Sequence, residues 1–510
     1  MTVPTPVTPV DAAPGDVTDH LAGDRVAVDD QLRRRLAGVC AEVSDLDGDR
    51  AEAGRDWWPL AIGWAAAGEV PSRPAVVARP ADTEQVAAVL ALCNDARVPV
   101  TASGGRSGVC GASVPLFGGV ALDMGGLAGI GEVDPDSLVA DLGAGTFGPD
   151  VESGLREQYG LTLGHWPQSM DLSTVGGWLA CRGAGQYSNR YGKIEDMVIG
   201  LELVLADGRV IRTGGHGPRS ATGPDLTQLF VGSEGTLGII TEGRFRVHPV
   251  PAGEGRRAFG FDSFAAGLDA CRRILRRGAT PAVLRLYDAT ESARSFDHPE
   301  TNVLVVLDEA DPGLVEATLA VVDAECQKAD ELDRGLVDRW LTHRNDVSAL
   351  APLWRSGIVV DTVEISARWS ALPGLYDAVL AALGNVEGTL VASSHQSHAY
   401  TDGACLYFTF AGRPPDGIDD IDGGDGRARD TWAARYYRRA WDEVTGATMA
   451  AGGAISHHHG IGINRARFLP GALGAGFAVL SSVKQALDPH GILNPGKLGL
   501  DSPFGQAPWP

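Results

Sequence analysis

None of the seven cysteines stands in a CxxC pair: Cys40, Cys93, Cys110, Cys181, Cys271, Cys326 and Cys405 are odd in number and scattered along the chain. That excludes a zinc ribbon and argues against a disulfide framework, whereas reduced thiols in a cytosol fit it. No stretch reaches the roughly 18 apolar residues that a membrane span requires. The opening "MTVPTPVTPVDAAPGDVTDHLAGD" lacks both a basic n-region and an apolar h-region. We therefore expect a cytoplasmic protein without an integral membrane segment, whose first 24 residues form a floppy leader or a docking segment. Basic residues are also in deficit, 43 Lys and Arg against 65 Asp and Glu, for a formal net charge of −22. This excludes nucleic acid or an anionic membrane surface as a main partner, since both need a cationic face, but leaves local positive pockets open.

The 510 residues suffice for two or three domains. In "RPAVVARPADTEQVAAVLALCNDARVPVTASGG" (73–105) a short apolar strand is followed by Val86, Val89, Leu90 and Cys93 at helical spacing, then by a second strand. A turn rich in glycine and serine comes next, "TASGGRSGVCGAS" (101–113). The stretch "GAGTFG" (143–148) spells the GxGxxG dinucleotide fingerprint. A nicotinamide site would also need a strand ending in an acidic residue ~20 positions on, where this chain reads "GHWPQSM", so a plain tight turn competes with it. "YGKIEDMVIGLELVLADGRVIRTG" (191–214) alternates like a hairpin around Asp207-Gly208. After Pro251, strands alternate with amphipathic helices to about residue 450, with an acidic loop at 414–430, and we read this part as a second domain.

Three turns, "SGGRSG", "DLSTVGGW" and "GSEGTLGII", share one property: small residues leave many backbone N–H groups free and close to a ligand. Such a cradle suits a pyrophosphate, and three of them beside apolar strands favour one large dinucleotide. Together with "YGKIEDMV", "TGPDL", "LRLYD", "DGACLYF", "SHHHGIG" and the terminal "DPHGILNPGKL", these motifs resemble the FAD-binding vanillyl-alcohol-oxidase superfamily, and more closely the alkylglycerone-phosphate synthases and their bacterial relatives.

The resemblance runs from about residue 75 to 498 and implies an α+β fold. A PCMH-type FAD-binding domain (73–250) follows an N-terminal tail and helical lead-in (1–72). An inserted α/β substrate or cap domain (251–450) precedes a C-terminal segment (451–498) that returns to the flavin, and a tail (499–510) closes the chain. It implies FAD contacts from Ser103, Gly104, Gly105, Arg106, Ser107, Gly108 and Val109 at the pyrophosphate. Others would come from Gln168, Ser169, Met170, Asp171, Leu172, Ser173 and Thr174, from Cys181, Arg182, Gly183 and Ala184, and from Glu234, Gly235, Thr236, Leu237, Gly238, Ile239 and Ile240. Flavoproteins resembling berberine bridge enzyme have a flavin-linked histidine where this chain has Arg106, so noncovalent FAD is expected. The Arg106 guanidinium would pair with the pyrophosphate or be a solvated loop arginine.

Strand alternation in "SHHHG" would send His457 and His459 to one face and His458 to the other, which speaks against one tetrahedral metal; no metal is expected. The resemblance makes the triplet part of an active site that binds an anionic head group and moves protons, the alternative being surface histidines in a glycine-rich turn. It makes Tyr407, on a strand with Cys405 and Thr409, the general acid/base, which would need a lowered pKa; otherwise Tyr407 is core. Arg285 interrupts an apolar run and needs a partner, an internal carboxylate or a substrate anion. Arg355 lies near the family's phosphate-binding arginine but five residues out of register, and His165 aligns with a histidine beside the flavin or is a capped loop residue. The implied activity is exchange of acyl for alkyl on an acylated dihydroxyacetone phosphate, with the flavin an electron sink and no net redox change. The alternatives are an FAD-dependent 2-hydroxyacid dehydrogenase or oxidase and, disfavoured by the retained tyrosine and histidines, a non-catalytic flavin-binding partner. The expected partner is a small or lipid-like molecule, with a homodimer open as the assembly.

Overall fold

Each of three sheets is built from short apolar strands closed by capped helices. The computed structural model describes residues 9–21, 23–215, 217–415 and 431–509, so most of the acidic loop expected at 414–430 lies outside the described residues. The first sheet holds β1 (Glu42–Ser44), β2 (Val76–Arg79), β3 (Val100–Ser103) and β4 (Val120–Asp123) in the order β1-β2-β4-β3. Its last three strands run parallel. Helix α1 (Thr83–Ala96) makes the crossover: Asp82 accepts the Gln85 N–H at 2.8 Å to start it, and the anticipated stripe of Val86, Val89, Leu90 and Cys93 is buried.

The second sheet holds β5 (Ile130–Asp134), β6 (Val139–Gly143), β7 (Val198–Val204), β8 (Val210–Gly214) and β9 (Ile239–Arg246), antiparallel in the order β8-β7-β9-β6-β5. Asp207-Gly208 turns the β7–β8 hairpin, with Gly208 at φ +85°. "GAGTFG" joins β6 to helix α2 (Gly148–Tyr159) within this antiparallel sheet, so it is a tight turn and not a nicotinamide fingerprint. A Cβ on Gly145 would lie 2.2 Å from the Met124 carbonyl, which fixes glycine there.

The third sheet spans the second half of the chain: β10 (Gly253–Phe261), β11 (Val283–Tyr287), β12 (Asn302–Ala310), β13 (Asp330–Glu331), β14 (Val359–Arg368), β15 (Thr389–Ala399) and β16 (Gly403–Gly412), antiparallel in the order β13-β10-β12-β11-β15-β16-β14. One face packs on helices through Leu268, Ile274, Leu375, Val379 and Phe408. Residues of β11, β14, β15 and β16 line a cavity shared with the first two sheets.

Both termini depart from expectation. Within the supposed leader, Thr18–Asp19 pairs in parallel with Glu69–Val70, and Val17 and Leu21 are 3% and 1% exposed. Two apolar anchors and the Asp19–Arg73 ion pair hold a stretch whose composition alone reads as disordered. At the far end, Trp509 is buried with its ring 5.2 Å from that of Trp58, so residues 499–509 are not a free tail. "NPGKL" does return to the first sheet: Asn494 N–H donates to the Val100 carbonyl at 2.8 Å, and its side chain donates to the Glu234 carbonyl at 2.6 Å. Among the described residues no single helix is long and apolar enough to cross a membrane, though the bent pair Ala466–Leu473 and Gly476–Leu487, meeting at 117°, passes by length and composition together.

Candidate active site

The three turns meet at one end of a cavity of about 850 Å³. "SGGRSG" leaves the end of β3 and packs on the turn before helix α3 (Val175–Cys181) so closely that a Cβ on Gly105 would lie 1.8 Å from the Leu172 carbonyl. The cavity is lined there by Ser103 to Val109, Gln168, Ser169, Leu172, Ser173, Thr174, Cys181, Gly183 and Ala184, and by Glu234, Gly235, Gly238, Ile239 and Ile240. Buried polar atoms on this wall are open to a ligand: Thr174 Oγ1, Ser113 Oγ and both nitrogens of His165 have no hydrogen-bond partner among the described residues.

Five residues of the expected cradle lie elsewhere, because a turn sends alternate side chains to the core or to solvent. Met170 and Leu237 pack in the core of the second sheet, Asp171 is exposed, Thr236 bonds the Ser233 carbonyl at 2.7 Å, and Arg182 points out to Glu195 at 3.2 Å. Arg106 is not a solvated loop arginine. It sits buried at φ +52°, 3.9 Å from Asp123, with its Nε unpartnered. His165 is wholly buried with no capping bond, and burial pushes its imidazole down to about 3.

The other end of the cavity is organised by Glu364 on β14, wholly buried. Its Oε1 accepts the backbone N–H groups of His457, His458 and His459 at 3.2, 3.2 and 2.9 Å, together with the Ser456 hydroxyl at 2.9 Å. Arg465 clamps the same carboxylate, and His459 Nδ1 stands 3.0 Å from it, off the line of a hydrogen bond. Burial alone would raise this carboxyl, but Arg465 and His459 beside it hold it well below the usual range. Three consecutive N–H groups on one oxygen bend the segment into a tight loop, so the strand alternation expected for "SHHHG" fails. His458 and His459 share the cavity wall with rings 4.3 Å apart, while His457 turns away toward His398 and Tyr400.

Tyr407 faces this loop, its ring 6.0 Å from His458 and 5.7 Å from His459, and its oxygen accepts from the Thr362 hydroxyl at 3.0 Å. Burial raises its phenol above the ordinary value, and burial also depresses His458, and His457 to about 4. The lowered phenol pKa expected at this position is therefore absent, and Tyr407 is a protonated phenol, a proton donor facing a depressed His458.

Of the two partners expected for it, Arg285 lacks an internal carboxylate among the described residues. Its Nη2 donates to His395 Nε2 at 2.6 Å, which puts the His395 proton on Nδ1, 2.8 Å from Glu291. Arg344, which sequence reasoning passed over, lines the same cavity with a buried, unpartnered Nη1 beside Tyr187. Both guanidiniums lie 5.5 Å from the ring of Trp340, at the end of the chain's helix Gly335–His343, and neither has a carboxylate within ion-pair distance among the described residues. Arg355 is instead half-exposed, 3.3 Å from Asp11 and off the cavity wall, because five residues out of register on a helix turns a side chain away. His395 and His398 were also missed, yet "SSHQSH" is a run of buried polar residues on β15, and a bulge between Gln396 and His398 brings both histidines to the cavity.

Two family models match the chain, an FAD binding domain over residues 74–214 and the C-terminal domain of FAD linked oxidases over residues 256–498. YgcU, an FAD-linked oxidoreductase of Escherichia coli O157:H7, is 31% identical over 83% of this chain and 89% of its own. The chain belongs to the FAD-linked oxidase family. Other members similar to it are the alkyldihydroxyacetonephosphate synthase of Dictyostelium discoideum, 29% identical over 84% of this chain and 74% of its own, and the glycolate oxidase subunit GlcD of Bacillus subtilis, 29% identical over 88% and 93%. The fold is shared with a solved alkyldihydroxyacetonephosphate synthase (TM-score 0.78, 24% identity, 97% of this chain and 89% of that one). It is shared too with p-cresol methylhydroxylase (TM-score 0.72, 17% identity, 94% and 99%), so the FAD-binding fold is PCMH-type. FAD is the cofactor, and the glycine-lined wall with its unpartnered Thr174, Ser113 and His165 atoms fits it.

Proposed function

We propose that this FAD-linked oxidase-family protein is an alkyldihydroxyacetonephosphate synthase-type enzyme, exchanging the acyl group of an acylated dihydroxyacetone phosphate for a fatty alcohol. One observation carries the reading: Arg285 and Arg344, two guanidiniums without a carboxylate partner among the described residues, flank Trp340 on the cavity that also holds Tyr407 and the imidazoles. A phosphate dianion balances two such cations, whereas a carboxylate balances one. FAD, when bound, supplies an electron sink beside this site. His458 takes a proton from the substrate carbon, and Tyr407, protonated, donates to the departing acyl oxygen. The carbon–oxygen bond to the acyl group breaks and one to the alcohol oxygen forms, the alcohol proton restores the Tyr407 phenol and His458 returns a proton to the carbon, so a fatty acid is released and no electrons leave the protein. Arg106, at the position of the covalent histidine in other flavoproteins, leaves FAD noncovalently held, and denaturation should release intact FAD into the supernatant.

Palmitoyl-dihydroxyacetone phosphate with hexadecanol should yield palmitate without consuming dye or oxygen. The likeness to GlcD favours a second reading, oxidation of a 2-hydroxyacid. In that case D-lactate or glycolate should bleach the flavin anaerobically, and turnover should wait for an acceptor. Bleaching by the hydroxyacid, with no palmitate released from the first pair, would overturn the synthase reading.

A further inference from the structure

The histidine loop is linked by hydrogen-bond distances through His457 to Tyr400, a partly exposed residue that is not on the cavity wall. His458 Nδ1 lies 2.9 Å from His457 Nδ1, and His457 Nε2 lies 2.9 Å from the Tyr400 hydroxyl. Tyr400 is partly exposed, its ring covers Lys193 Nζ at 4.7 Å, and its hydroxyl stands 3.4 Å from Ser188 Oγ. Lys193 is itself 26% exposed. The geometry points to a proton relay: we propose that His458, His457 and Tyr400 carry the proton taken up in the cavity to the surface and return it within the cycle.

With hydrogens assigned from the network, the proton count closes. Before transfer, His458 Nδ1–H donates to His457 Nδ1, His457 Nε2–H donates to the Tyr400 oxygen, and Tyr400 O–H points outward, leaving His458 Nε2 free. A proton arriving at Nε2 moves each hydrogen along by one bond, and the Tyr400 hydrogen leaves. Every ring is neutral before and after. Neutrality suits the site, because burial disfavours an imidazolium at both histidines. In the reversed array the same three groups return a proton to the cavity. The motif that recommended the histidines does not include Tyr400, whose place in the network is visible only in three dimensions.

The relay rests on a substrate proton reaching His458, which both readings of the site require. Tyr400→Phe removes one oxygen and keeps the ring over Lys193. In the holoenzyme, with palmitoyl-dihydroxyacetone phosphate and hexadecanol, kcat should fall about 10-fold or more with KM and flavin spectrum unchanged, and the solvent deuterium isotope effect should grow. His457→Ala should be similarly slow and be rescued by added imidazole, which a structural role would not allow. If the parent fails on that pair but D-lactate bleaches its flavin, the synthase reading falls and the same variants are compared on bleaching rate. Tyr400→Phe at parental speed with an unchanged isotope effect overturns the relay. So does one zinc ion per chain lost in His398→Ala, since the ring nitrogens of His398, His457 and His458 lie within 4.8 Å of one another.

Discussion

The two ends of the cavity are built by opposite means. At the cofactor end, backbone and small side chains from three glycine turns make the wall, each turn contiguous in sequence. At the chemical end, the wall is made of large polar side chains from β11, β14, β15, β16 and the histidine loop, and a buried carboxylate that is not part of that wall, Glu364, sets the loop's shape. A backbone cradle is encoded locally, by glycine at particular steps. A side-chain constellation is encoded only by which strands become neighbours. The first end should therefore fail by losing cofactor, the second by losing chemistry or stability.

The largest effect is expected where that second end is held together. In Glu364→Gln the amide oxygen still accepts the three N–H groups, but Arg465, 1% exposed, loses its counter-charge. Stranding one charge of a buried pair costs about 3–5 kcal/mol. Thermal unfolding should move down accordingly, and adding Arg465→Met should restore much of the stability without restoring turnover. An unchanged midpoint in the single variant would remove Glu364 from its central role.

A crossed pair tests the division directly. Gly105→Ala pushes the first cradle turn off the Leu172 carbonyl, so flavin absorbance per chain should drop sharply. Tyr407→Phe should keep full flavin while turnover falls roughly 10²-fold, the loss of one proton donor. Flavin loss in the tyrosine variant, or full flavin and slow turnover in the glycine variant, would merge the two ends into one.

The same division explains what was legible beforehand. Helix α1 could be read to its buried stripe, and the cradle to most of its residues, because each signal lies within a few positions of chain. Five cradle residues were misplaced, since a turn does not announce which side chains face in. Tyr407 and the three histidines were found by motif, but the phenol lies above and not below its ordinary pKa, because burial is a property of the assembled fold. Glu364, Arg344, His395 and Tyr400 carry little local signal; the polar run "SSHQSH" on an otherwise apolar strand was the one clue available.

A smaller effect should mark His165, which belongs to the cofactor end yet has no backbone role. Its imidazole is held near 3 against an ordinary 6.5, so between those values the unfolded chain binds a proton that the folded chain refuses. Its contribution to stability is full above pH 6.5 and is lost as pH falls, by ~2 kcal/mol between pH 7 and 5. Asp56 and Asp361, raised by burial to about 7 and about 6, act in the opposite sense. The measurement is therefore a difference: denaturant unfolding of the parent minus that of His165→Gln should change with this sign and size, and a flat difference would mean that the buried ring is charged.

The smallest effect belongs to the residue that the family pattern recommended and the fold set aside. Arg355 is 48% exposed, as is its partner Asp11, and a pair of that kind contributes about 0–1 kcal/mol. Its helix meets the cavity only at its first residue, Leu350, and at the Arg355 end packs on the N-terminal segment, where Trp354 lies against Gly63. Arg355→Ala should leave KM for the phosphorylated substrate within about twofold, a negligible free energy. Arg344→Ala should raise it by tenfold or more at the same flavin content. Equal losses from both arginines would mean that the anion reaches past Trp340 to the outer helix. A loss from Arg355 alone would return the anion site to the register that sequence similarity suggests and leave Arg344 as packing.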